Sequence, residues 1–198
     1  MKKVDKKEYT FNIFNNYAKK GVSTALTNII GSKKAIICSI GSDLVLGDSV
    51  GPLVGSILQE NKVDTFIYGT LKNPVTAKEI SYIKKYLTSI HKNIPIIAVD
   101  AALGNKDEVG LIKVVEGGLR PGLGVNKNFS YIGDVSIMAI VAEKGVNGEK
   151  LLRLTRLNLV YKFAEIISEG IYDFFNTENK LNTFFNNKNS LFVTKKLC

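Results

Sequence analysis

Three aspartates in this chain combine a useful residue type with a useful setting: Asp43, Asp48 and Asp100. Asp43 and Asp48 lie in GSDLVLGDS, which overlaps the end of the apolar run AIICSIG (35–41), and Asp100 closes a second apolar run, IPIIAVD (94–100). In open α/β sheets ligands bind at the carboxyl ends of strands, where the loops into helices gather. If these two runs are neighbouring strands, the three carboxylates converge at that edge. Two carboxyls sharing a partly buried site do not both ionise easily, so one keeps its proton while the other loses it. That division supplies an acid and a base for activating water against an amide. The same three oxygen donors could instead ligate a hard metal ion in a metal-dependent hydrolase.

A capping role competes with chemistry at one of these positions. Asp48 stands where a helix beginning near Ser49 would welcome a carboxylate at its free N–H groups. Asp100 is followed by Ala101 and Ala102, with no cap in sight.

Other chemistries find little support. GSDLVLGDS has five residues between its glycines where a P-loop has four, and an aspartate where a P-loop has lysine. GLGVNK follows a loop, not a strand, so it is no dinucleotide fingerprint. The one histidine, His91, sits at a helix end beside Lys92, suited to the helix dipole, and G-x-S-x-G is absent. The two cysteines, Cys38 and Cys198, are far apart and form no metal-ligand spacing. A reduced cytoplasmic setting with no cofactor and no resident metal is therefore expected.

The elements that must position the acids follow from periodicity. Residues 35–41 predict a buried strand, and SVGPLVGSILQE a helix with Pro52 in its first turn. VDTFIYG (63–69) predicts a second strand, and Thr76 with Glu79 forms a capping box opening the helix TAKEISYIKKYLTSIH. The strand ending at Asp100 comes next. This alternation predicts a parallel sheet with right-handed crossovers. VGLIKVVEG (109–117) and DVSIMAIVA (134–142) predict two more strands, separated by the glycine-rich GLRPGLGVNKNFSYIG, whose Arg120, Asn126 and Lys127 could hold a carbonyl or an oxyanion. An amphipathic helix spans Glu149 to Phe175. The Asn- and Lys-rich ends, residues 1–15 and from Asn176 on, are expected to be loosely held.

With 198 residues, 45% apolar and 23% charged, one globular domain with a core over about 32–175 is expected. No segment approaches the ~20 apolar residues of a membrane span. The net charge of +9 favours acidic partners, yet its lysine pairs are scattered along the chain, so specific nucleic-acid binding is not expected.

Taken together, GSDLVLGDSVGPLVG, YGTLKNPV, IIAVDAALG and GLRPGLGVNKNFSYIGDVSI resemble the YyaC-type sporulation proteins of spore-forming Firmicutes, relatives of the germination protease that degrades small acid-soluble spore proteins. The resemblance covers about residues 35–165. It implies a phosphorylase/hydrolase-like three-layer αβα sandwich with a mostly parallel or mixed sheet, and an atypical aspartic-type endopeptidase. GDSVGP and VDAALG put the two acids of that type on Asp48 and Asp100, with Asp43 as neighbour. Gly69 and Thr70 of YGTLKNPV, and Arg120, Gly122, Gly124, Asn126 and Lys127 of LRPGLGVNKN, are the implied substrate-binding residues. The implied partner is a protein or peptide, small acid-soluble spore proteins among the candidates, in the cytoplasm of the forespore or spore core; a homo-oligomer is compatible. The germination protease is longer and carries a propeptide, so a non-catalytic or regulatory protein that keeps the pocket for a peptide or partner is the alternative. Hydrogenase-maturing endopeptidases share the fold but need a site histidine, which His91 is badly placed to supply.

Overall fold

The computed structural model describes residues 6–31, 34–121 and 130–193, with side chains as far as Asn176. It is a mixed α/β fold: β1 (Glu8–Asn12), α1 (Ala18–Ile30), β2 (Ile36–Ser39), α2 (Val50–Glu60), β3 (Ile67–Tyr68), α3 (Ile80–Ile90), β4 (Ile96–Gly104), β5 (Leu111–Glu116), β6 (Val135–Glu143), α4 (Gly148–Leu154) and α5 (Leu157–Val193). The six strands form one sheet in the order β1-β5-β6-β4-β2-β3. β2 pairs in parallel with β3 and β4, β4 with β6, and β5 alone runs against its neighbours.

Strand side chains alternate between faces, so each buried strand feeds two cores. Ile37, Ile97, Val99, Ile137 and Val114 point to one side, where α1, α2 and α5 pack Leu26, Val54 and Phe163 against them. Ile36, Cys38, Ile96 and Ala98 point to the other, covered by Ile80 and Leu87 of α3 and by Leu119 and Ile132. This is why the strand runs read as continuously apolar: neither face of the central strands meets water. Phe163 is fully buried in the first core. Phe163→Ala is expected to cost about 3–5 kcal/mol, read as a lower midpoint of urea unfolding at unchanged slope.

The capping box predicted from Thr76 and Glu79 is formed, the Thr76 N–H donating to the Glu79 carboxylate at 2.7 Å. Several boundaries differ from expectation. β4 does not stop at Asp100 but runs on to Gly104, because β6 continues to pair with it. The strand expected over 63–69 shortens to Ile67–Tyr68, and the helix expected from Glu149 to Phe175 breaks at Thr155–Arg156 and then continues to Val193.

Within the segment expected to be loose, the described part from Glu8 on is held in place. β1 completes the sheet beyond β5, and α1 packs on α5 closely enough that a Cβ on Gly170 would lie 2.7 Å from Val22, with Lys19 bridging to Glu169 at 3.0 Å. Among the described residues no helix is long and apolar enough to cross a membrane.

Candidate active site

The loop that carries Asp48 is shaped by glycines at positions where a side chain cannot fit. β2 leaves the sheet after Ile40, whose backbone bridges to Val75. Gly41 then takes φ +144°, and a Cβ there would lie 2.0 Å from the Asp48 carbonyl oxygen. A Cβ on Gly51 would lie 2.0 Å from the Ile40 oxygen. The start of α2 therefore rests on the end of β2, backbone against backbone. The Ser42 N–H donates to the Asp48 carbonyl at 3.2 Å and also to its carboxylate. Ser49, the cap position of α2, makes no side-chain cap bond. The side chain of Asp48 is thus held by its own loop.

Asp100 lies within β4, opposite Met138 of β6, and is 6% exposed. The pairing of β2 with β4 reaches Ser39 and Val99, so Asp100 sits just past the point where β2 departs. Its side chain shares a face with Ala98 and Cys38. Burial raises the Asp100 carboxyl well above the ordinary carboxylate range, the nearby charge of Asp48 raises it further, and the Ala101 N–H offsets part of this. Burial also lifts Asp48 to about 6, against the pull of the Ser42 N–H. Beside them the Cys38 thiol is pushed up to about 12 by burial, then by Asp100, and so stays protonated and unreactive. Asp100 is buried and Asp48 half-buried, close enough that the charge of Asp48 acts on Asp100, and Asp100 is the last to ionise.

Asp43 stands apart. It is exposed on the loop and is not among the charges acting on Asp100. Among the described residues no three His, Cys, Asp or Glu side chains gather as a metal site, so the three-aspartate ligand set is not formed.

Gly69 and Thr70 lie beside this edge. Gly69 has φ +86°, and a Cβ on it would lie 1.7 Å from the Ser39 oxygen. Thr70 is buried in a tight turn, its Oγ1 accepting the Asn73 N–H at 3.1 Å. Both shape the ends of β2 and β3. Arg120 follows Leu119, which bridges to Ile132 on the Asp100 side of the sheet. Its guanidinium stacks on Tyr131, Cζ 4.3 Å from the ring centre, and its Nε is buried with no hydrogen-bond partner among the described residues. Gly122, Gly124, Asn126 and Lys127 lie outside the described residues.

His91 ends α3, as expected, but is buried there, its Nε2 2.7 Å from the Tyr68 hydroxyl. Sequence reasoning missed Ser42, Met138 and Tyr131 as neighbours of the site residues. Ser42 adjoins Asp43 in the same loop and could have been suspected. Met138 depends on β4 pairing with β6 across more than thirty residues, and Tyr131 on the bridge that closes the glycine-rich loop from Leu119 to Ile132; neither leaves a local pattern.

The DUF1256 family profile, described as a protein of unknown function, matches residues 9–170. The uncharacterized protein YyaC of Bacillus subtilis (strain 168) is 39% identical over 151 residues, 76% of this chain and 73% of that protein. Among solved structures, the chain is similar to a [NiFe] hydrogenase maturation protease HycI from Thermococcus kodakarensis KOD1, at 18% identity and a TM-score of 0.40, over 72% of this chain and 97% of that one. With a profile spanning most of its length and a relative at this identity, the chain belongs to the DUF1256 family.

Proposed function

We propose that this chain is a peptidase that hydrolyses amide bonds with Asp48 and Asp100, in the manner of the spore germination protease. The observation that carries the reading is the carboxyl pair, Asp100 buried and Asp48 half-buried at the same strand ends, whose proton affinities are both raised and unequal. Near neutral pH, Asp48 is the carboxylate and Asp100 the acid.

In the proposed step Asp48 takes a proton from water as the oxygen attacks the substrate carbonyl carbon, and Asp100 gives its proton to the carbonyl oxygen. Collapse of the tetrahedral diol breaks the C–N bond. Asp48 passes its proton to the leaving nitrogen, and a diol hydroxyl returns a proton to Asp100. Arg120, held by its stack on Tyr131, is the donor we assign to the substrate chain. The helices on both faces of the sheet support reading the fold as a phosphorylase/hydrolase-like three-layer sandwich. The likeness to YyaC-type sporulation proteins makes small acid-soluble spore proteins, in the forespore cytoplasm, the substrate to try.

Cleavage is expected to fall on the acid side with a midpoint near 6, where Asp48 takes up its proton. A profile of cleavage rate against pH on a spore-protein substrate measures this. A flat rate from pH 5 to 8 would remove Asp48 from the base role. If the wild-type protein binds the substrate and never cleaves it, the regulatory reading replaces catalysis.

A further inference from the structure

Among the described residues, much of the outer side of α3 is left open. Tyr82, Tyr86 and Ile90 recur every fourth residue and are 69%, 40% and 54% exposed, and Phe66, on His91 at the same end, is 61% exposed. Residues four apart form one ridge along a helix. Large side chains placed this openly in a row are a common mark of an interaction surface.

The charge carried by this segment is nearly all of one sign. From Thr76 to Lys92 the chain carries Lys78, Lys84, Lys85 and Lys92, all exposed, against one acid, Glu79. The Glu79 carboxylate is already taken by the Thr76 N–H and hydroxyl. Along α3, Lys85 lies on one flank of the tyrosine row and Lys84 on the far side of the helix, and an apolar row edged by lysine is complementary to an apolar seam edged by carboxylates.

Two classes of acidic partner are conceivable, and the ring geometry separates them. Bases of a single-stranded nucleic acid need open aromatic faces. Here the Tyr82 and Tyr86 rings stack on each other, centres 6.3 Å apart at 19°, Tyr86 meets Tyr68 edge-on at 6.2 Å, and Phe66 leans on His91 at 4.6 Å. The rings lean on one another as a ridge, and a ridge of i±4 residues packs into the groove of another helix. We propose that α3 is a docking surface for an acidic amphipathic helix of a partner protein, with apolar residues at helical spacing and Asp or Glu along one flank.

The test uses the full chain and three labelled probes in fluorescence anisotropy. One is a synthetic Glu-rich peptide with Leu at i, i+4 and i+8, one is a scrambled peptide of the same composition, and one is oligo(dT). The helical peptide is expected to bind at least roughly tenfold more tightly than the scrambled one. Tyr82→Ser/Tyr86→Ser should abolish that preference, and Tyr161→Ser, at an exposed tyrosine on α5, should leave it intact. Lys78→Glu/Lys85→Glu, which keeps the ridge, should weaken the peptide by a similar factor and covers the case in which the tyrosine variant does not fold. Equal binding of the two peptides, no binding of either, or tighter binding of oligo(dT) that the tyrosine variant loses, overturns the proposal.

Discussion

Asp100→Asn is expected to lower the rate of peptide cleavage by at least about 10³-fold while leaving the protein folded, and to raise its melting temperature at pH 8. Loss of a positioned proton donor ordinarily costs 10² to 10⁴ in rate, and asparagine retains the shape but has no proton to give. The stability gain follows from the sign of the pKa changes. Both carboxyls hold their proton more tightly in the folded than in the unfolded chain. Their contribution is therefore full below the ordinary value of 3.8, and it is lost as pH rises through about 6 for Asp48 and through a higher value for Asp100. Near pH 8 the wild-type fold bears both penalties, and the Asn variant only that of Asp48. The gap in melting temperature between variant and wild type should be small at pH 4 and widen to several degrees at pH 8. Scanning calorimetry across that range checks the second half, and a cleavage assay the first. Retained cleavage removes Asp100 from the mechanism, and a gap that narrows with rising pH removes the buried pair.

Gly69→Ala should produce the largest loss of stability among single substitutions near the site, more than about 4 kcal/mol. Its backbone is in the left-handed region at φ +86°, and the new methyl would stand 1.7 Å from the Ser39 carbonyl oxygen. Neither side can give way, because the Gly69 oxygen itself faces Gly55 so closely that a Cβ there would lie 1.9 Å away. Relief would require parting β2 from β3 and α2 together. Gly110→Ala is the control, with φ +95° but nothing within 4 Å of the new Cβ. It should lose only about 1 kcal/mol, the backbone conformational part alone. Urea unfolding of both variants separates steric exclusion from conformational strain, and equal losses would refute the close-packing account.

Much of this was legible in the sequence because it is written locally. The apolar run before Gly41, the helix carrying Pro52 and the Thr76–Glu79 box each fall within a dozen residues and formed as read. The pairing of the runs at 36–39 and 96–99, which brings Asp48 near Asp100, entered the reading as a condition, since the alternation alone does not say which strands are neighbours. What was not legible depends on distant partners. Asp100 read as a strand end because a carboxylate is a poor strand residue, yet β6 extends β4 four residues further. Glu8–Asn12 read as a loose terminus because it is short and followed by asparagines, although Tyr9, Phe11 and Ile13 already alternate. Asp43 shares a loop with Asp48, but proximity along the chain did not bring it to the pair, since the loop doubles back through Ser42 and leaves it outside.

The place of β1 in the sheet sets a timetable for biosynthesis. The Lys7 amide meets the Glu116 carboxylate across 109 residues of sequence, and the α1 ridge beside it waits for α5, which begins only at Leu157. A ribosome adding about 5–20 residues per second leaves the first strand without its neighbour for roughly 5–20 s. Throughout that interval Tyr9, Phe11 and Ile13 have α1 beside them but neither β5 nor α5, so this β1–α1 segment is where a chaperone that holds apolar stretches would be expected to engage the chain until its last third has been made.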